Sequence, residues 1–356
     1  MKIIRLSTFL DFGGIESKMA NLSTYSDDSE WIFCAIGKGG MAESKIKSQN
    51  KKVVCFNWAF KIPSLITILK LYFYFKKEKP DVVHSSGAEA NFFGAIAAKL
   101  ANVNLVISEE IGIPNHSKKA RFIFNFIYKL SDYVLGESQL VIDHLQKNYA
   151  IDNHKLKVVP NFTLFQDSVK NDNCLKTEIF KIISVSRLEP VKNIEGLIRV
   201  IGKLKSQGYL VSYSIVGSGT SEKSIQRLID SLELNNDIKL LGFQSDPRAF
   251  YLSSDLFVLN SFSEGFSNSL LEAMYYQIPS ITTNVGAAQE IIDHNTNGWI
   301  VPVDDEQELF ETIKKIIMLD ITTRKTIGQN AHDLVVEKYS LQAHVDSLFK
   351  LYHSKL

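Results

Sequence analysis

Short runs of β-branched and aromatic residues alternate along the whole chain with longer stretches whose apolar positions recur every three or four residues. That alternation is the sequence form of repeated βαβ units and predicts an α/β protein with parallel sheets. In the first half the strand-like runs are KIIRLST, EWIFCAIG, KKVVCF, DVVHSS, NLVISE, YVLGES and LKVVPN. In the second half they are KIISVSR, VSYSIVGSG, DIKLLG, LFVLNS and PSITTN. Each half has its own set, which favours two Rossmann-like domains over one large sheet. Between them lies FTLFQDSVKNDNCLKTEIF, polar and without periodicity for most of its length. The expected division is a first domain over residues 1–165, a linker over 166–178 and a second domain over 179–339. The last segment, 340–356, sets Val345, Leu348, Phe349 and Tyr352 at i, i+3, i+4 and i+7, an amphipathic helix in need of a surface to cover.

Composition narrows the class. A chain of 356 residues suits two cores, and 45% hydrophobic with 22% charged residues is the balance of a soluble globular protein. The net charge of +1 gives no global reason to expect nucleic acid as a partner. Cys34, Cys55 and Cys174 show neither a disulfide framework nor ligand-like spacing, so a reducing cytoplasm fits best. The N-terminal apolar run is broken by Arg5 and reads as a strand, not a secretion signal. The most apolar window, SLITILKLYFYF, has Lys70 inside it, so no transmembrane helix is expected.

Four loops carry candidate chemistry. Gly13-Gly14, between a strand and a helical pattern, would let the backbone approach an anion at a helix N-terminus, although plain turn chemistry is the commoner reason for such a pair. Arg187 and Lys192 follow a strand in SVSRLEPVKN, where ligands bind in open α/β sheets. Two such cations suit a diphosphate, and a solvated basic loop is the alternative. Gly217 and Gly219 follow another strand in IVGSGT. In SFSEGFSNSLLEAM, Ser269 to Glu272 matches a capping box, which would make Glu272 structural but leaves Glu264-Gly265 unexplained. No Asp-x-Asp pair for a diphosphate-bound metal appears near a strand end, nor a G-x-S-x-G or H-E-x-x-H motif.

Together these pieces resemble the family 4 retaining glycosyltransferases of the GT-B fold: Gly13-Gly14-Ile15-Glu16, Arg187 with Lys192, and E-x7-E from Glu264 to Glu272. The similarity runs through DVVH, VVPN, VGSG, NVGAAQEII and NGWIVP, nearly the whole chain. The resemblance implies two Rossmann-like domains facing a cleft, with a C-terminal helix crossing back to the first. It also implies a nucleotide-sugar donor, most simply UDP-linked, as substrate, and neither cofactor nor metal. Arg187 and Lys192 would bind the diphosphate, approached by Gly14, and with Glu264 would form the catalytic set. Glu264 would contact the donor sugar, amides of Gly265 and Phe266 its hydroxyls, and Glu272 the ribose, with Gly217, Ser267 and Leu270 completing the donor site. His84, Ser86, Glu110 and Glu290 would line the acceptor and sugar region. Two departures stand out: Ser86 replaces a second histidine that many members carry, and Gly286-Ala287 replaces a Gly-Gly pair.

The implied reaction moves a hexose or N-acetylhexosamine to a glycan or polyprenyl-diphosphate-linked acceptor during synthesis of bacterial surface polysaccharide, O-antigen or capsule. A nucleotide-sugar epimerase on the same fold and a non-catalytic nucleotide-sugar-binding protein are the alternatives. Lys118, Arg121, Asn125 and Lys129 fall on one helical face, with Ile123, Phe126, Ile127 and Leu130 on or near the other. Such a helix either lies on an anionic membrane, giving peripheral contact at its cytoplasmic face, or packs on the core with a solvated cationic edge.

Overall fold

The computed structural model describes residues 1–11, 13–114, 116–165 and 178–355. Nearly all of the expected linker, together with Cys174, lies outside these residues. The chain divides into two units, Met1–Leu164 with Leu341–Leu356 and Phe165–Ser340.

The first unit holds seven strands: β1 Lys2–Ser7, β2 Glu30–Ala35, β3 Lys52–Cys55, β4 Val82–Ser86, β5 Leu105–Glu110, β6 Tyr133–Gly136 and β7 Leu156–Val158. They form one parallel sheet in the order β3-β2-β1-β4-β5-β6-β7. Every residue of β4 and β5 is buried, the polar His84, Ser85, Ser86, Ser108, Glu109 and Glu110 included, so neither strand shows an alternating buried and exposed pattern. The winding direction reverses between β1 and β4, and the carboxyl ends of those strands open the crevice where such sheets bind ligands. The helix Leu341–Tyr352 belongs to this unit and buries Val345, Leu348 and Tyr352 in a cluster with Ile3, Trp31 and Phe33. Each such side chain contributes about 1.5–3 kcal/mol by leaving water.

The second unit holds β8 Phe180–Val185, β9 Val211–Val216, β10 Ile238–Leu240, β11 Leu256–Leu259, β12 Ser280–Thr283 and β13 Trp299–Val301. Its parallel order is β10-β9-β8-β11-β12-β13, so the reversal falls between β8 and β11. All twelve strand-like runs of the sequence overlap an observed strand. The thirteenth, β13, was not expected: it is three residues long between Gly298 and Pro302, too short to show a period. Among the described residues no helix is long and apolar enough to cross a membrane.

Candidate functional site

In the second unit β8 ends at Val185, and the chain passes through Arg187 into a single 3-10 turn, Pro190–Lys192. Asn193 follows in the left-handed conformation, and its side chain accepts from Gly196 N at 3.2 Å, capping the helix Ile194–Ser206. This loop is tied to the one after β11: Phe262 N donates to Val191 O at 2.8 Å, and Asn260 Nδ2 to Asn193 O at 3.2 Å. The tie brings Lys192 Nζ onto Glu264 Oε1 as an ion pair, with each side chain 13% exposed. Ser261 Oγ donates to the same carboxylate oxygen at 2.6 Å. Arg187, by contrast, is exposed.

Two glycines explain how these loops come so close. Gly217 has φ +140°, and a Cβ there would collide with Ser186 O, directly before Arg187. Gly286 has φ +54°, and a Cβ would collide with the carbonyls of Glu264 and Gly265. Ala287 N then donates to Gly265 O at 3.0 Å, so the NVGAAQE segment braces the turn that carries Glu264. Glu290 stands exposed on the short helix Ala288–Ile291 behind that brace.

The helix Asn268–Tyr275 corrects the capping-box reading. Its N-cap is Ser267, whose Oγ accepts from Leu270 N at 3.3 Å, two residues before the expected cap at Ser269. Glu272 does not reach back to the helix start; it accepts from the buried Tyr251 hydroxyl at 3.1 Å. Burial pushes the Glu272 carboxyl up to about 7, against the opposing hydrogen bond from Tyr251. Glu264, Gly265, Ser267 and Leu270 border a small cavity closed by Val285 and Ala287. Phe266 is half-buried, its ring 5.7 Å from that of Tyr339. The carboxyl ends of β8, β9 and β11 thus collect two cations, two carboxylates and the N-terminus of the helix Asn268–Tyr275, a setting suited to a phosphate and to hydroxyl donors.

The first unit is organised differently. Gly14 opens the helix Gly14–Leu22, and a Cβ there would meet nothing within 4 Å among the described residues, so their packing gives no reason for glycine at this position. His84 and Ser86 do not line an open surface, which overturns the role expected of them. They are 0% and 1% exposed, inside a polar cluster centred on Glu109. Glu109 Oε1 takes Lys18 Nζ at 2.6 Å, while Oε2 takes Arg5 Nη2 at 2.9 Å and Ser86 Oγ at 2.6 Å. His84 Nδ1 lies 2.6 Å from Arg5 Nη1 and 2.8 Å from the Tyr352 hydroxyl. Burial opposes ionisation of Glu109, but Lys18 and Arg5 outweigh it and hold the carboxyl well below its usual range. Burial and then Arg5 push His84 down to about 3, which keeps the ring neutral. Sequence reasoning missed Arg5, Lys18, Glu109 and Tyr352. One signal was available: an arginine inside the apolar run KIIRLS must find a partner when that strand is buried.

Glu110 points to the other face of the sheet. Its Oε1 accepts from Asn91 Nδ2 and from the Tyr128 hydroxyl, each at 2.8 Å, and the residue is 5% exposed. Burial raises its carboxyl to about 7 despite those two bonds.

The basic helix is Lys118–Leu130, capped by Ser117. Ile127 faces the core with Phe124 and Tyr128, whereas Phe126, placed beside Ile127 by the sequence, is 57% exposed together with Phe122 at 79%. The helix Leu65–Glu78 likewise exposes Leu65, Ile66, Leu69 and Phe73 beside Lys70, Lys76 and Lys77.

Comparison with known proteins fits this geometry. The model of the glycosyl transferases group 1 matches residues 165–334, and that of Glycosyltransferase Family 4 matches residues 29–163. The capsular polysaccharide biosynthesis glycosyltransferase CapM of Staphylococcus aureus is 29% identical over 82% of this chain and 81% of its own length. A UDP-Gal:alpha-D-GlcNAc-diphosphoundecaprenol alpha-1,3-galactosyltransferase of Escherichia coli is 24% identical over 82% of this chain and 80% of its own. The crystal structure of Anabaena HepE in complex with UDP superposes with a TM-score of 0.87 at 21% identity, covering 99% of this chain and 100% of that one. With both halves matched, the two sheets formed and the paired loops in place, the chain belongs to the family 4 glycosyltransferases of the GT-B fold.

Proposed function

We propose that this glycosyltransferase moves a hexose or N-acetylhexosamine from a UDP-linked donor to a glycan or polyprenyl-diphosphate-linked acceptor in bacterial surface polysaccharide synthesis. Transfer retains the anomeric configuration and requires no metal. The observation that carries this reading is the convergence of Arg187, Lys192, Glu264 and Glu272 on the β8/β11 reversal of the second unit. Arg187 and Lys192 neutralise the donor diphosphate, and the Gly265 and Phe266 amides with Glu264 hold the sugar. Glu272 accepts from the ribose hydroxyls while Tyr251 steadies its other oxygen. The bond from the anomeric carbon to the diphosphate breaks as the acceptor oxygen bonds to that carbon on the same face. The acceptor proton passes to the departing phosphate oxygen, and the rate comes from positioning and charge stabilisation.

The names of the relatives supply the substrate classes. CapM is a capsule enzyme, the Escherichia coli enzyme takes a UDP-sugar and a diphosphoundecaprenol acceptor, and HepE holds UDP. The exposed Phe122 and Phe126 beside Lys118 and Lys119, with the matching face of Leu65–Glu78, provide peripheral contact with an anionic membrane.

UDP release from a panel of UDP- and GDP-sugars, with and without polyprenyl-diphosphate-linked N-acetylhexosamines and with EDTA present, tests the reading. Acceptor-dependent UDP release that survives EDTA is expected, together with flotation on anionic liposomes. Consumption of donor without acceptor or diphosphate release would instead mark an epimerase, and thermal stabilisation by donor without turnover a binding protein.

A further inference from the structure

The face of the helix Lys118–Leu130 that carries Lys118, Arg121, Asn125 and Lys129 divides in the structure. Lys118 and Lys129 are exposed, whereas Arg121 and Asn125 are half-buried against the chain that leaves the helix Gln139–Asn148. Asn125 Oδ1 accepts from Ala150 N at 2.8 Å, and the Arg121 guanidinium carbon lies 5.9 Å from the centre of the Tyr149 ring. His116, one residue before the Ser117 cap, joins them. Its ring stacks on Phe124 at 4.1 Å, and its Nδ1 lies 2.8 Å from the Tyr149 hydroxyl. His144, on the helix Gln139–Asn148, opposes positive charge on His116, as Arg121 does.

These nitrogen-bearing side chains gather without a counter-charge. Glu89 of the helix Ala88–Leu100 acts on His116 only through its charge, and among the described residues no ion pair joins a carboxylate to Arg121, His116 or His144. Arg121 Nε and His144 Nε2 are buried and have no hydrogen-bond partner among those residues. A buried donor of this kind is costly unless a ligand supplies the acceptor. Burial and then Arg121 push His116 below its usual value, so the ring is neutral near pH 7. Burial and then Glu110 raise the Tyr149 hydroxyl, which keeps its proton and donates to His116 Nδ1. The ring hydrogen then stands on Nε2, a donor in addition to the Arg121 fork.

We propose that Arg121, His116 and His144 form a phosphate-binding site between the helices Lys118–Leu130 and Gln139–Asn148. The three donors come from three segments of the chain, the loop after β5 and the two helices. A phosphate accepts from several directions through its oxygens, whereas a carboxylate accepts in one plane, so the spread of donors favours the phosphate. The diphosphate of a polyprenyl-linked acceptor and the headgroup of an anionic phospholipid share this chemistry. With the first as occupant, the site deepens the transferase reading and rests on it; binding of phosphate as such does not.

Inorganic pyrophosphate would be added to wild type and to Arg121→Gln, each saturated with UDP so that Arg187 and Lys192 are engaged. Wild type is expected to gain thermal stability beyond that given by sodium chloride of equal ionic strength, and Arg121→Gln to lose that gain. Equal gains in the two proteins, or none in either, overturn the proposal. Acceptor KM would then be measured on polyprenyl-diphosphate-linked N-acetylhexosamine and on the same sugar as an alkyl glycoside. A rise of about ten-fold on the first alone, the effect of losing a hydrogen bond from a charged group, with donor KM unchanged, assigns the site to the acceptor diphosphate. An unchanged ratio with loss of flotation on phosphatidylglycerol liposomes assigns it to the headgroup. Equal rises on both acceptors mark a packing role and overturn the site. Should Arg121→Gln not fold, His144→Phe, which keeps a ring and removes Nε2, takes its place with the same outcomes. A wild type that responds to pyrophosphate but releases UDP with no donor and acceptor pair overturns the transferase reading and leaves the phosphate site standing.

Discussion

Each unit places two glutamates near the reversal of its sheet; Glu272 and Glu110 are held alike, each by a buried tyrosine hydroxyl, but Glu264 and Glu109 are held in opposite ways. In the second unit Glu264 sits on a turn, met by Lys192 from a neighbouring turn and backed by Gly286. In the first, Glu109 sits in a strand interior with Lys18, Arg5 and Ser86 drawn from three other elements. A turn-borne carboxylate retains contact with solvent and can exchange its partner for a ligand. A strand-borne one surrounded by buried donors is part of the core. The difference leaves Glu264 the carboxylate that solvent still reaches and makes Glu109 part of the architecture.

The strongest way to break the comparison is to remove Glu109. Glu109→Ala strands Arg5, 1% exposed, and Lys18, 4% exposed, without their carboxylate. Losing one partner of a buried ion pair costs roughly 3–5 kcal/mol. Urea unfolding of the variant should show a loss of that size or no folded state at all. A change below about 1 kcal/mol, the range of an exposed pair, would mean that the buried cluster contributes little to the fold.

The same contrast explains what could be read in advance. The β8 and β11 loops were legible as short motifs, Arg187 and Lys192 after a strand and Glu264-Gly265 ahead of a helix, whereas the reason for Gly217, its close pass of Ser186 on another loop, and the exact cap at Ser267 were not. The Glu109 cluster joins residues 5, 18, 84, 86, 109 and 352, and no window of sequence holds more than two of them. The resemblance places His84 and Ser86 in the acceptor and sugar lining, and sequence alone does not correct it, since a polar residue at a strand end reads the same whether it faces solvent or a buried partner. β13 escaped for a simpler reason, being only three residues long.

Glu272 gives a smaller effect with a definite sign. Its carboxyl is raised to about 7 in the folded protein, so the folded chain holds a proton that the unfolded chain has already released. Stability from this group is therefore greatest in acid and declines as pH rises from the ordinary carboxyl value to about 7, then levels off. Glu272→Gln, which has no proton to lose, should flatten that part of the profile and gain relative to wild type at pH 8. Thermal unfolding from pH 4 to 8 checks it, and parallel profiles for the two proteins would remove the burial argument. UDP added at a hundred times its Kd stabilises a binding-competent protein by ~2.7 kcal/mol, and this increment should shrink in the same variant.

The finest distinction lies within one helix turn, between Ser267 and Ser269. If Ser267 caps the helix Asn268–Tyr275, as its bond from Leu270 N indicates, Ser267→Ala costs about 1 kcal/mol. Ser269→Ala removes only a hydroxyl contact at 3.2 Å to Ser267, so its loss stays within about 0.5 kcal/mol. The reverse ranking in paired denaturation curves would restore the cap at Ser269 and return Glu272 to a structural role. The expected ranking leaves Glu272 unneeded for the helix start, because its carboxylate is bonded to Tyr251 and not to the first turn.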